Sequence, residues 1–229
     1  MVGGRAELAE ISRDIVACRA CPRLVAWREE VATVKRAAFA NQDYWGRGVP
    51  GFGDPEARIA VVGLAPAAHG ANRTGRVFTG DRSGDWLFAS MHRSGLANQP
   101  VSVSADDGLT LHDVWVCSAV RCAPPTNRPL PDERDRCMPY LVRELAALCH
   151  LGVVVVLGQF AYDVVSKALG LTRRPRFGHG VELPAVPGSP AVICSYHPSQ
   201  QNTFTGKLTT DMLDSVFVRA TAVVSAAPS

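Results

Sequence analysis

Four short, almost unbroken apolar runs, at residues 58–64, 113–120, 152–157 and 191–196, constrain this chain more than any other feature. A strand with one wet face alternates apolar and polar residues. These runs do not alternate, so they read as strands buried on both faces of a parallel sheet. Helical patterns separate them, at 85–94, 132–149 and 159–169, and a last helix over about 207–224 carries Leu208, Met212, Val216 and Ala220 at helical spacing. Strand and helix alternate, which predicts an α/β three-layer sandwich with a central four-stranded parallel sheet flanked by helices. Ahead of the sheet, residues 5–17 form an amphipathic helix with Leu8, Ile11 and Ile15 on one face, and a second helix follows with Trp27, Val31 and Val34 inward. Gly46, Gly48, Pro50, Gly51 and Gly53 make residues 41–54 a loop, and 95–110 and 172–189 read as surface loops. The expected organisation is one domain over 1–229, with a frayed tail from 221 on.

Composition excludes several classes. At 229 residues and 47% apolar content, one sizeable core is expected. A net charge of +3 permits a polyanionic partner without pointing to one. No stretch approaches the roughly 18 apolar residues of a membrane span, and Arg5, Glu7, Glu10, Arg13 and Asp14 interrupt any leader-like core near the start. A cytosolic protein with no membrane partner is expected. Seven cysteines in such a protein point to thiols or a metal site and not to disulfides. Cys18 and Cys21 form a CxxC pair, and Cys122 and Cys137 flank a Pro-rich loop and the next helix. These four suit a tetrahedral metal or an iron–sulfur cluster, and spacing does not separate the two. Cys117, Cys149 and Cys194 read as small buried hydrophobes.

The carboxyl ends of the four strands fall on one edge of a parallel sheet, where α/β proteins bind ligands. Strand one runs into a long loop, GLAPAAHGANRTGRVFTGD, spanning Gly63 to Asp81. Strand two leads to Arg121-Cys122 and on to Asn127, strand three to Gly158-Gln159, and strand four to His197-Pro198-Ser199. Polar groups from distant segments thus converge, as an enzyme requires. The Gly70–Val77 segment lacks the Lys-Ser/Thr of a nucleotide phosphate loop, although Arg73 is placed to hold a phosphate of DNA. Asp81 and Asp85 are the nearby carboxylates, each also a candidate helix cap. Phe78 and Phe204, on polar loops, read either as stacking faces for a base or as packing beneath their loops.

Those two segments, Gly63–Asp81 and HPSQQNTFTGKLT from His197, resemble the family 5 (UDGb-type) uracil-DNA glycosylases, and PGFGDP and RCAPPTNRP extend the resemblance from Cys18 to about Thr209. The resemblance implies a uracil-DNA glycosylase-like fold and a [4Fe–4S] cluster on Cys18, Cys21, Cys122 and Cys137. It implies a monofunctional base-excision repair enzyme that removes uracil, hypoxanthine, xanthine and hydroxymethyluracil from double-stranded DNA, acting as a monomer at the nucleoid. Family 4 enzymes carry a glutamate where this chain has Leu64, so the water-activating acid does not sit there; the resemblance to family 5 implies that the aspartate of FTGD, Asp81, takes that role. His197 is the donor to the leaving base. Asn127 is the base-contacting amide, with Ser118 standing where an asparagine is common. Gly63, Leu64, Ala65, Pro66, Ala67, Ala68 and Phe78 form the base pocket. Asn72, Arg73, Ser199, Gln200, Gln201, Asn202 and Phe204 face DNA. A non-catalytic iron–sulfur nucleic-acid or redox-sensing protein, which needs neither Asp81 nor His197, is the alternative, and a hydrolase of free nucleosides a third.

Overall fold

Residues that alternate between two apolar environments make a strand indispensable to both, and all four predicted strands do so in the computed structural model, which describes residues 3–226. The sheet has the order β1-β3-β2-β4-β6-β5. Its centre is β2 (Ile59–Gly63), β3 (Val114–Ser118), β4 (Val153–Leu157) and β6 (Ala191–Ser195), paired parallel. Ile59, Val61, Val114, Val116, Val155 and Ile193 point into one core, and Ala60, Val62, Cys117, Val154, Val156 and Cys194 into the other. Cys117 and Cys194 are fully buried, as small hydrophobes should be.

The sheet has six strands, not four. Two two-residue strands, β1 (Phe52–Gly53) and β5 (Glu182–Leu183), close the edges antiparallel. Both lie inside segments expected to be loop. They are too short to carry a periodic pattern, and they cover edges that would otherwise present unpaired backbone.

One face is covered by α4 (Arg82–Arg93) and α8 (Thr210–Ala226). The other is covered by α1 (Gly3–Ala17), α5 (Pro131–Ala147) and α6 (Gln159–Ala168). The last helix begins at Thr210, later than expected, and buries Leu213, Val216, Phe217, Ala220 and Val224. The fraying expected from residue 221 does not occur through Ala226, because Val224 packs into the core; residues 227–229 lie outside the described residues. In α2 (Pro22–Val34), Leu24, Val25, Arg28 and Val31 are buried, whereas Val34 is 74% exposed. The helix ends there, with Lys35 at φ +57°, so Val34 has no neighbour to pack against. Among the described residues no helix is long and apolar enough to cross a membrane.

The chain leaves β2 toward β3 on one side and leaves β4 toward β6 on the other. The crevice outside the carboxyl ends of β2 and β4 is therefore the topological switch point where such sheets bind ligands.

Candidate active site

A cavity of about 750 Å³ opens at this switch point, and Leu64, Ala65, Ala67, Ala68, Phe78, Asp81, Asn127, His197, Ser199, Gln200 and Gln201 all line it. The loops after β2, β3 and β6 meet there, which is the convergence the strand ends predict.

Asp81 sits at the start of α4 in extended backbone and caps it. Its Oδ1 accepts from the N–H groups of Ser83 (2.9 Å) and Gly84 (3.1 Å). The two readings of this residue, cap and functional acid, are thus divided between its two oxygens. Oδ2 accepts no hydrogen bond among the described residues and lies against Gly70, where a Cβ would come within 2.3 Å of it. Burial raises the Asp81 pKa above the ordinary carboxylate value, outweighing the two N–H bonds that lower it. Asp85 is exposed on α4 and does not reach the cavity.

His197 lies two residues past the end of β6. Its carbonyl accepts from Asn202 Nδ2 at 2.9 Å, and a Cβ on Gly158 would sit 3.3 Å from the histidine Cβ, so its backbone is held from two sides. Burial pushes its pKa down to about 4, so at neutral pH the imidazole is uncharged and one ring nitrogen is a donor. Neither ring nitrogen bonds another described residue. The Phe78 ring lies 5.9 Å from it, tilted by 34°.

Phe78 stands at φ +54°, an uncommon conformation for an aromatic residue. It is held by close contacts: a Cβ on Gly63 would be 2.5 Å from the Phe78 ring, and one on Gly84 only 1.8 Å from its carbonyl oxygen. Gly63 lets the ring tip approach the end of β2, and Gly84 leaves room for the Phe78 carbonyl. Thr126 and Asn127 are likewise left-handed, at φ +52° and +56°. Such backbone costs of order 1 kcal/mol or more per residue and gathers at ligand sites. Among the described residues the N–H groups of Ala65, Ala67 and Ala68 have no protein acceptor, so the pocket wall offers backbone donors.

Several expected positions differ. Gly63 is buried beneath Phe78 and Pro66 is buried behind the wall, so neither lines the cavity. Ser118, the last residue of β3, is 2% exposed with its hydroxyl unpartnered, and it does not line the cavity because it is still buried within the sheet beside Gly63. Asn72 and Arg73, expected to face DNA, are buried. They lie in a short buried helix, α3 (Ala71–Thr74). Asn72 donates to the Arg28 carbonyl, and Arg73 bonds the carbonyls of His69 and Gly80 and the Gln42 side chain. Asn202 is spent on His197, although Phe204, at the end of the five-residue helix α7 (Gln200–Phe204), is 69% exposed with Arg82 over its ring at 4.7 Å. Sequence reasoning missed Arg36, Phe39 and Arg82, which also line the cavity. Adjacent Lys35 and Arg36 at a helix end were the only visible cue to the first.

Cys21, Cys122 and Cys137 form one buried cluster, with Cys18 close enough to perturb the thiols of all three. Burial pushes the Cys137 thiol up to about 12, which disfavours a free thiolate. Yet Arg28, 1% exposed, donates to Cys122 Sγ at 2.9 Å and to the Cys18 carbonyl at 3.0 Å, with its Nε unpartnered and no direct ion pair, since neighbouring Glu29 is spent on Arg19 and acts on Arg28 only at longer range. The Arg121 N–H donates to Cys137 Sγ at 3.2 Å. An unpaired buried cation is strongly unfavourable. A thiolate-ligated anionic group among the four sulfurs fits this donor set and supplies the missing counter-charge. Among the described residues no three His, Cys, Asp or Glu side chains converge closely enough for one metal ion.

The profile of the uracil DNA glycosylase superfamily matches residues 50–220. The type-5 uracil-DNA glycosylase of Mycobacterium tuberculosis is 54% identical over 223 residues, covering 96% of this chain and 83% of that enzyme. The type-5 enzyme of Thermus thermophilus is 50% identical, covering 91% and 94%. A type-4 uracil-DNA glycosylase from Archaeoglobus fulgidus is 31% identical, covering 84% and 81%. The match takes in the loop after β2, the Pro-rich loop after β3 and the segment after β6, the three pieces that build the cavity. The chain belongs to the uracil DNA glycosylase superfamily, within its type-5 branch.

Proposed function

We propose that this protein is a monofunctional DNA glycosylase that hydrolyses the N-glycosidic bond of uracil, and of related deaminated or damaged bases, in double-stranded DNA. The observation that carries the mechanism is the divided carboxylate of Asp81: one oxygen fixed by the helix start, the other free in a cavity that also holds a neutral histidine. The damaged nucleotide leaves the duplex, at a cost of a few kcal/mol that is lowest for a mismatched base. Phe78 stacks on the base, backbone donors of Ala65, Ala67 and Ala68 and the amide of Asn127 bond its edge, and Phe204 enters the gap.

As the bond from C1′ to the base nitrogen breaks, negative charge builds on the base. The neutral His197 ring donates a hydrogen bond to a base carbonyl oxygen there; a preorganised donor of this kind is worth about 3–4 kcal/mol. Asp81 Oδ2 stabilises the cationic sugar and takes the proton of a water whose oxygen bonds C1′, as a glycosidase carboxylate does. The products are free base and an abasic sugar in an unbroken strand. Leu64, in place of a carboxylate, leaves Asp81 the sole acid of the pocket wall.

Cys18, Cys21, Cys122 and Cys137 would hold a [4Fe–4S] cluster, which would tie α2 to the loop after β3 and to α5. Base hydrolysis transfers no electrons, so its part is structural: α2 carries Arg28, whose carbonyl holds Asn72 of the cavity loop. The enzyme acts as a monomer.

A pocket wall of Leu64, Ala65, Ala67 and Ala68 makes few specific polar contacts and tolerates several bases. Single-turnover excision from duplexes containing uracil, hypoxanthine, xanthine or hydroxymethyluracil, beside the matching single strands, checks this. Release of all four, faster from duplex, is expected; release of uracil alone would contradict a tolerant pocket.

A further inference from the structure

The cavity rim carries one arrangement that the excision chemistry does not use. Arg36 lines the cavity and is exposed, and its side chain makes no ion pair or hydrogen bond among the described residues. Its backbone N–H donates to Tyr44 Oη at 3.4 Å, and Tyr44 Oη lies 3.1 Å from His69 Nδ1, with the two rings edge to face. With the tyrosine oxygen accepting from Arg36, we assign its own hydrogen to His69 Nδ1. That assignment leaves the histidine hydrogen on Nε2. His69 lines the same cavity, and its carbonyl is fixed by Arg73 Nε at 2.8 Å. The residues around it are anchored as well: Trp45 N–H bonds the Arg73 carbonyl and Gly46 N–H the Asn72 carbonyl.

A free guanidinium and an oriented neutral N–H donor thus share one rim. We propose that Arg36 and His69 form a phosphate site for the backbone linkage next to the flipped nucleotide, with Tyr44 as the positioning residue that fixes the His69 tautomer. The chemistry favours a phosphodiester. Among the described residues Asp81 is the only carboxylate on the cavity wall, and it repels phosphate, so the polyanion must be held away from it by cations. Of the two arginines lining the cavity, Arg82 already covers the Phe204 ring, leaving Arg36. Burial, Arg36 and Arg73 all lower the His69 pKa, which keeps the ring a neutral donor beside the charge. The site is built by tertiary contacts between 36–46 and 69–73, which explains why no sequence motif announces it.

The inference rests on the glycosylase reading, and the test separates the two. Uracil duplexes are made with a neutral methylphosphonate at the linkage immediately 5′ or 3′ of the uridine, and single-turnover excision is titrated with wild type, Arg36→Gln, His69→Leu, His69→Gln and Tyr44→Phe. On the natural duplex, Arg36→Gln and His69→Leu are expected to weaken apparent binding about tenfold each, and Arg36→Gln to reduce the salt slope by about one. His69→Gln, which keeps a donor near the Nε2 position, recovers most of the loss, and Tyr44→Phe loses an intermediate amount. At one methylphosphonate position the wild type weakens about tenfold and the variants lose little more. Losses that multiply at both positions overturn the proposal, as does a His69→Leu defect in the maximal rate alone, which would mark contact with the base. In either case excision by the wild type leaves the glycosylase reading standing. A wild type that releases no uracil from any duplex removes that reading itself.

Discussion

Asp81→Asn is expected to lower single-turnover uracil excision by about 10²–10³-fold, the scale of losing one preorganised electrostatic group, while raising thermal stability at pH 7. The two effects have opposite signs because the carboxylate does two jobs. Asparagine keeps an Oδ1 acceptor for the Ser83 and Gly84 N–H groups and caps helices as well as aspartate does. It cannot accept the proton of water. The folded-state pKa of Asp81 is raised, chiefly by burial. A raised pKa contributes stability below the unfolded carboxylate value, and that stability is lost as pH rises through the folded value. At pH 7 the burial cost is therefore complete, and the neutral amide removes it. The stability gap between variant and wild type should close as pH falls through the raised pKa, and wild-type excision should fall over the same interval. An Asp81→Asn enzyme with near wild-type rate would reduce the residue to a helix cap.

Arg28→Met is the second large effect, and its sign reports what the four cysteines hold. With an anionic cluster present, the variant strips a buried anion of its counter-charge and of the tie to Cys18. It is expected to purify with little iron, without the brown colour of thiolate-bound iron, and to lose about 3–5 kcal/mol of stability. With neutral thiols only, Arg28 is itself the uncompensated charge, and methionine would stabilise the fold. Iron content, visible absorbance and a denaturant midpoint on the same preparations decide between the two.

The architecture was legible because it rests on the strongest pattern a sequence carries. Strands that serve two cores must be apolar at nearly every position, and β2, β3, β4 and β6 lie within the predicted runs. The edge strands were not legible, since two residues have no period. At the site, His197 and Asn127 were readable from their places after strands, and Asp81 from its loop. Asn72 and Arg73 were misread because polar residues in a glycine-rich loop look solvated. Here their side chains bond main-chain carbonyls of α2 and of the loop itself, contacts that depend on tertiary placement. Arg36 shows the same limit from the other side. Apart from the adjacent basic Lys35, nothing near it in sequence marks a site; Lys35 at φ +57° turns the chain, and Tyr44 and His69 complete the arrangement from 8 and 33 residues on. Ser118 illustrates a third case, a polar residue whose hydroxyl is buried at the end of a core strand.

The products released from a duplex with a single uracil opposite guanine test the hydrolytic glycosylase most directly. With enzyme in excess, free uracil and an abasic strand of full length should appear in equal amounts and at the same rate, with no strand break until the abasic site is cleaved chemically. An intact substrate after many hours, or strand cleavage in step with base release, would contradict a hydrolytic glycosylase built on Asp81 and His197.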